Sequence, residues 1–143
     1  MIFTEAATPE EADAIRAKLP PAQGEIGQKV WWNRTWGEIF EGRVRYIELG
    51  TIYDSGHEYI ARRYRVQSER VSDSRGEGKV RDNPYEWTSC YQTEHEGVYK
   101  FTFDHDKAKK KAVQLMTYEV NDLRRRALQL ETNAKRIQES IGQ

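Results

Sequence analysis

One cysteine, Cys90, stands in 143 residues, so no internal disulfide can form. Histidine is nearly as scarce, and His57, His95 and His105 are scattered without the close spacing of zinc ligands, so no metal or other cofactor is expected. No apolar run approaches the ~20 residues that crossing a bilayer takes. The first residues are acidic and rich in alanine, not basic and then apolar, so no signal peptide is expected and the expected location is the cytoplasm. Net charge is also missing: 23 lysines and arginines balance 23 aspartates and glutamates. A chain without an overall basic field holds bulk nucleic acid or an anionic membrane poorly, so any anion site must be local. Proline is rare, with 4 in all and none beyond Pro84, and between Gly97 and Gly142 there is no glycine, so the last third of the chain contains nothing that breaks a helix.

What is present describes one foldable domain, since 143 residues do not hold two full cores. Hydrophobic residues make up 37%, but aromatics reach 11% and compensate for the thin aliphatic content. Charge is unevenly spread. Residues 1–27 carry 2 basic and 5 acidic groups, 28–104 carry 12 and 13, and 105–143 carry 9 and 5. These three stretches are expected to be an N-terminal helix with its linker, an antiparallel β-domain and a C-terminal oligomerising helix, joined in one compact unit.

The expected fold class is α+β. Thr8-Pro9-Glu10-Glu11 combines an N-cap threonine, a proline at the first helical position and a glutamate three residues on. Pro20-Pro21 ends that helix, and Ala12, Ile15 and Leu19 give it one apolar face. From Gln28 onward, aromatic and β-branched residues punctuated by glycine predict a meander of five short antiparallel strands near 28–34, 38–50, 57–67, 85–93 and 98–103. Thr35-Trp36-Gly37-Glu38 and Asp54-Ser55-Gly56 serve as turns, and residues 68–84 read as a long loop. Such a sheet either curls into a small barrel or needs helices over one face.

Asp104 or Asp106 can cap the C-terminal helix. Its apolar residues Met116, Val120, Leu123, Ala127, Leu130, Ala134, Ile137 and Ile141 alternate steps of four and three, which is a heptad stripe. The stripe predicts a homodimer, or a multiple of dimers, through residues 116–141. A helix that folds back near Tyr118 or Asn121 would satisfy the same stripe within one chain.

No group of residues makes a catalytic constellation, so the expected role is non-enzymatic. Cys90 reads as a buried small hydrophobe, and Glu94-His95-Glu96 as a solvated turn. Lys107, Lys109, Lys110 and Lys111 read as a solvated helix face. Above this background stands an interleaving of aromatics and arginines. Trp31, Trp32 and Trp36 crowd one strand and its turn, Arg63 and Arg65 bracket Tyr64, and Tyr85, Trp87 and Tyr91 share one strand face. Aromatic faces stack on bases and guanidinium groups pair with phosphates, so the combination suits a nucleotide. Arg124-Arg125-Arg126, following Asn121 in the long helix, forms a second local cluster.

A short helix, an antiparallel sheet, a polar loop and a long oligomerising helix, in that order over about residues 28–140, resemble the phage Thoeris anti-defence sponges. Those proteins bind a cyclic ADP-ribose immune signal and sequester it without cleaving it. The resemblance implies a cyclic nucleotide ligand, held by an aromatic and an asparagine near the end of the sheet and by arginines of the C-terminal helix. By residue type these would be Trp87 or Tyr91, Asn83 or Asn121, and Arg124 or Arg125. With Trp36, Arg63 and Arg65 they make up the expected ligand-binding set. Two other readings stay open: an inhibitor that binds a host enzyme through its tryptophan-rich edge, and a small module for single-stranded nucleic acid, against which the neutral net charge counts.

Overall fold

The computed structural model describes residues 1–34, 37–72, 79–97 and 100–143. The chain is α+β: an open antiparallel sheet of six strands, a short N-terminal helix and a long C-terminal one. In chain order these are β1 (Ile2–Glu5), α1 (Pro9–Lys18), β2 (Lys29–Asn33), β3 (Ile39–Asp54), β4 (His57–Ser72), β5 (Val80–Asp82), β6 (Trp87–Thr93) and α2 (His105–Ser140). Among the described residues no helix is long and apolar enough to cross a membrane.

The axis of the sheet is the hairpin of β3 and β4, each 16 residues long. Asp54 pairs with His57, which leaves Ser55-Gly56 as a two-residue turn with φ of +53° and +83°. A turn with both central residues at positive φ matches the right-handed twist of the strands it joins. The other four strands are short and lie end to end along the two outer edges. β2 and β1 flank the first and second halves of β3, while β6 and β5 flank β4.

Several expectations are corrected. The sheet has six strands, not five, because the chain start pairs with β3 and residues 80–82 pair with β4. The expected loop at 68–84 is strand through Ser72, since Ile39–Glu41 supply partners for Arg70–Ser72, and is strand again at β5; residues 73–78 lie outside the described set. The expected strand at 98–103 is a single bridge, Thr102 to Trp31, with Val98 and Tyr99 outside the described residues. That bridge exchanges two backbone hydrogen bonds at 2.8 and 2.9 Å, yet one pair of residues does not close a barrel, and the sheet stays open. Simple alternation along β3 also fails. A register shift between Val44 and Tyr46 leaves Arg45 and Tyr46 both exposed and sets Tyr46 opposite Arg65.

One face of the sheet carries the core of Val30, Trp32, Phe40, Val44, Tyr64, Val66, Val71 and Cys90, completed by Phe101. Burying each larger side chain contributes about 1.5–3 kcal/mol. Trp32 stacks on Phe40, and Phe101 meets Tyr64 edge to face. The helix α1 is capped as its sequence predicts, with the Thr8 hydroxyl accepting from the Glu11 amide, and it sets Ile15 and Leu19 into the structure. The segment after it is clamped by a polar network. Buried Arg62 donates to Pro20 O and to Gln92 Oε1, Tyr64 donates to the same Gln92 oxygen, and Gln92 Nε2 donates to Pro21 O.

Asp104 caps α2 by accepting from the Asp106 amide. Only Ala108 and Ala112 of its 36 residues are buried. The helix is continuous, so the alternative of a fold-back near Tyr118 or Asn121 is excluded within this chain. Everything from Leu123 onward is exposed.

Candidate functional site

Alternation along β2 sends Val30 and Trp32 into the core and leaves Trp31 and Asn33 for the start of α2. The Trp31 indole stacks on His105, with ring centroids 4.9 Å apart and planes 7° from parallel. Its Nε1 donates to Glu41, which keeps the ring in one orientation. Asn33 Nδ2 donates to Glu38 O and to Ala108 O, joining the β2–β3 turn to the helix backbone. Close approach continues at Gly37, where a Cβ would lie 2.7 Å from Ala112 O and where φ is +79°. A small residue on each partner, Gly37 and Ala112, brings the two backbones together.

This seating leaves an open groove of about 500 Å³ between β2, the segment at residues 100–102 and one side of α2. Its walls include Trp31, Trp32, Ala108 and Leu115, and its cations are Arg34, Lys100, Lys107 and Lys111. Among the described residues no carboxylate lines it. Lys107 and Lys111 are four apart on α2 and so share one side of the helix. Arg34 lies over the Phe40 ring, 4.8 Å from its centroid, and pairs with Glu86 at 2.9 Å. Among the described residues, Lys100, Lys107 and Lys111 have no ion pair. Three uncompensated ammonium groups beside an indole-walled groove repel one another, and an anion seated between them relieves that repulsion.

The expected ligand-binding residues fall elsewhere. Arg63, Arg65, Trp87 and Tyr91 do come together, on the sheet face turned away from the core. There they are already engaged. Arg63 pairs with Glu48 at 2.9 Å and lies over Phe3, and Phe3 in turn contacts Tyr91. Arg65 lies over both Tyr46 and Trp87, whose rings stack with centroids 6.0 Å apart. Asn83 is buried between β5 and β6, and its Nδ2 has no hydrogen-bond partner among the described residues. Asn121, Arg124 and Arg125 stand on the exposed length of α2, and Asp122 pairs with Arg125 and Arg126. Arg124 is about 18 Å along the axis from Ala112, at 1.5 Å per residue. Trp36 lies outside the described residues.

The groove was only partly visible in the sequence. The four-residue spacing of Lys107 and Lys111 and the exposed phase of Trp31 are local signals, although the lysines read as a solvated face. Arg34 and Lys100 carry no such signal, because the bridge from Trp31 to Thr102 brings them near each other. Among the described residues no group of three or more histidines, cysteines and carboxylates is placed to hold a metal ion. In comparisons with known proteins the chain shows no significant match to any family model, curated protein or solved structure.

Proposed function

We propose that this chain binds a phosphate-bearing ligand of the nucleotide class, in the groove between β2 and α2, and releases it chemically unchanged. The observation that carries the reading is the meeting of the Trp31 indole with Arg34 and three lysines free of ion pairs, with no carboxylate among the described lining residues, in one groove of about 500 Å³. A volume in the range of roughly 300–1,000 Å³ suits a small-molecule ligand. Stacking on Trp31 supplies affinity for a base of any identity, and ammonium and guanidinium groups supply charge-assisted hydrogen bonds to phosphate. Cyclic ADP-ribose isomers are the first ligands to try, because the element order resembles that of the sponges that sequester them. The cytoplasm, where such a signal circulates, is the proposed location.

The test is calorimetric titration with cyclic ADP-ribose isomers, linear ADP-ribose and cyclic dinucleotides, followed by heat denaturation and chromatography of what is released. Intact ligand at about one per chain, with affinity reduced at least about tenfold by Lys107→Glu and by Lys111→Glu, is the expected result; losing one charge-assisted contact costs about 1.5–3 kcal/mol. Recovery of a hydrolysed product would refute sequestration. Retention of none of these compounds would refute the nucleotide reading.

One feature favours a second reading, in which the sheet binds a partner protein. Tyr46 and Trp87, 50% and 44% exposed, flank Arg65, and aromatics with arginine are the residue types that dominate protein interfaces. A single host protein captured by the wild type and lost with Trp87→Ala, while the groove variants still capture it, would support this reading over the first.

A further inference from the structure

We infer that the projecting part of α2 pairs with the same helix of a second copy in antiparallel orientation, with residues 116–141 of the two chains fully overlapped. This inference is independent of the ligand reading. Beyond Ala112 no residue of the helix is buried; Met116 still touches the turn at Gly37 and Leu115 borders the groove, but farther on the apolar side chains stand in solvent: Val120, Leu123, Leu130, Ile137 and Ile141 are 44–71% exposed. Residues 116–141 cover nearly four heptads and about 38 Å at 1.5 Å per residue, which is long enough for a stable coiled coil. A stripe of this length alternating by four and three fits a second helix better than it fits a curved sheet.

The order of large and small residues along the stripe selects the orientation. Writing Val120 as position a puts Val120, Ala127, Ala134 and Ile141 at a, and Met116, Leu123, Leu130 and Ile137 at d. In a parallel, in-register pair each residue faces its own copy. Ala127 and Ala134 then form two alanine-only layers, which leave gaps in the middle of the seam. In an antiparallel pair a faces d, and full overlap matches Met116 with Ile141, Val120 with Ile137, Leu123 with Ala134 and Ala127 with Leu130. Each alanine then meets a leucine, every stripe residue has a partner, and the layers become even in volume.

Two further features agree. The flanking positions that face each other bring Arg124 beside Glu131 of the partner, twice over by symmetry, and set no like charges together. The sheet domain is attached at Ala108 and Ala112, immediately before the stripe begins, so a parallel partner would crowd a second domain against the first. The antiparallel arrangement places the two domains at opposite ends. Arg124 thereby becomes a pairing residue of the helix seam, apart from any role in holding a ligand.

Mixed cysteine cross-linking tests the orientation. Native Cys90 is fully buried, so wild type serves as the blank. Under mild oxidation, Leu123→Cys protein mixed with Ala134→Cys protein gives a disulfide-linked dimer, while neither variant cross-links alone, because identical positions lie about 16 Å apart along the axis. Cross-linking of each variant by itself would mean a parallel pair and overturn the inference. Sedimentation equilibrium of the unmodified chain gives twice 16.8 kDa or a multiple of that dimer. A monomer at 100 μM would overturn pairing altogether. Leu130→Glu, on a side chain 71% exposed in the single chain, leaves the far-UV signal of the sheet domain unchanged and shifts the mass to the monomer.

Discussion

Trp31 and His105 lie face to face, 4.9 Å between ring centroids, and this stack joins an edge strand to the first turn of the long helix. It fixes where α2 leaves the sheet, and with it the width of the groove between them. His105→Ala is expected to lower stability by about 1 kcal/mol, the contribution of an aromatic pair beyond its buried area. Urea denaturation followed by tryptophan fluorescence reads the change, and ligand affinity should fall with it because the groove wall loses its anchor.

Gly37 tests the same joint from the turn. Its positive φ alone costs a side chain about 1 kcal/mol, and a Cβ there also meets Ala112 O at 2.7 Å. Gly27 has a similar φ of +88° with open space around it. Gly37→Ala is therefore expected to destabilise more than Gly27→Ala, by about 1–3 kcal/mol in total against about 1. Equal losses in paired thermal melts would show that the helix seat is not tight.

The buried network around Arg62 makes a third prediction. Gln92→Leu deprives both Arg62 Nη1 and the Tyr64 hydroxyl of their shared acceptor, and leaves a buried guanidinium with one fewer partner. A loss of about 2–4 kcal/mol is expected, whereas Tyr64→Phe removes one hydroxyl and should cost about 1–2. Chemical denaturation of the two variants gives the order directly.

The two candidate surfaces separate by mutation. Arg65→Ala and Trp87→Ala remove groups that stack on each other across β4 and β6, outside the groove. Nucleotide affinity should stay within about twofold of wild type in both, while Lys107→Glu and Lys111→Glu abolish most of it. Loss of affinity on Trp87→Ala alone would move the ligand to the outer face of the sheet.

Ionic strength gives an independent check. Binding carried by exposed lysines is screened over a Debye length of about 10 Å at 0.1 M salt, so affinity should fall severalfold between 50 and 500 mM sodium chloride. An affinity that does not change with salt would mean that the cations take no part.

Local chemistry along the chain determined a good deal by itself. The Thr8 cap, the Ser55-Gly56 turn and the long uninterrupted helix from His105 each depend on residues within one or two turns of one another, where propensity and sterics act without help from the fold. The heptad stripe was equally plain, because its period needs no knowledge of what lies beside it. Other features depended on partners distant in sequence. The first strand forms because β3 has room for Ile2–Glu5 along its second half, and residues 70–72 extend β4 because Ile39–Glu41 lie opposite. The shift at Val44 and Tyr46 turns two neighbouring side chains to the same surface, and no alternation pattern announces it. The groove itself is a product of tertiary structure: Arg34, Lys100, Lys107 and Lys111 line one groove only once the bridge at Trp31, the ring stack at His105 and the Asn33 and Gly37 contacts with α2 have set the helix against the sheet.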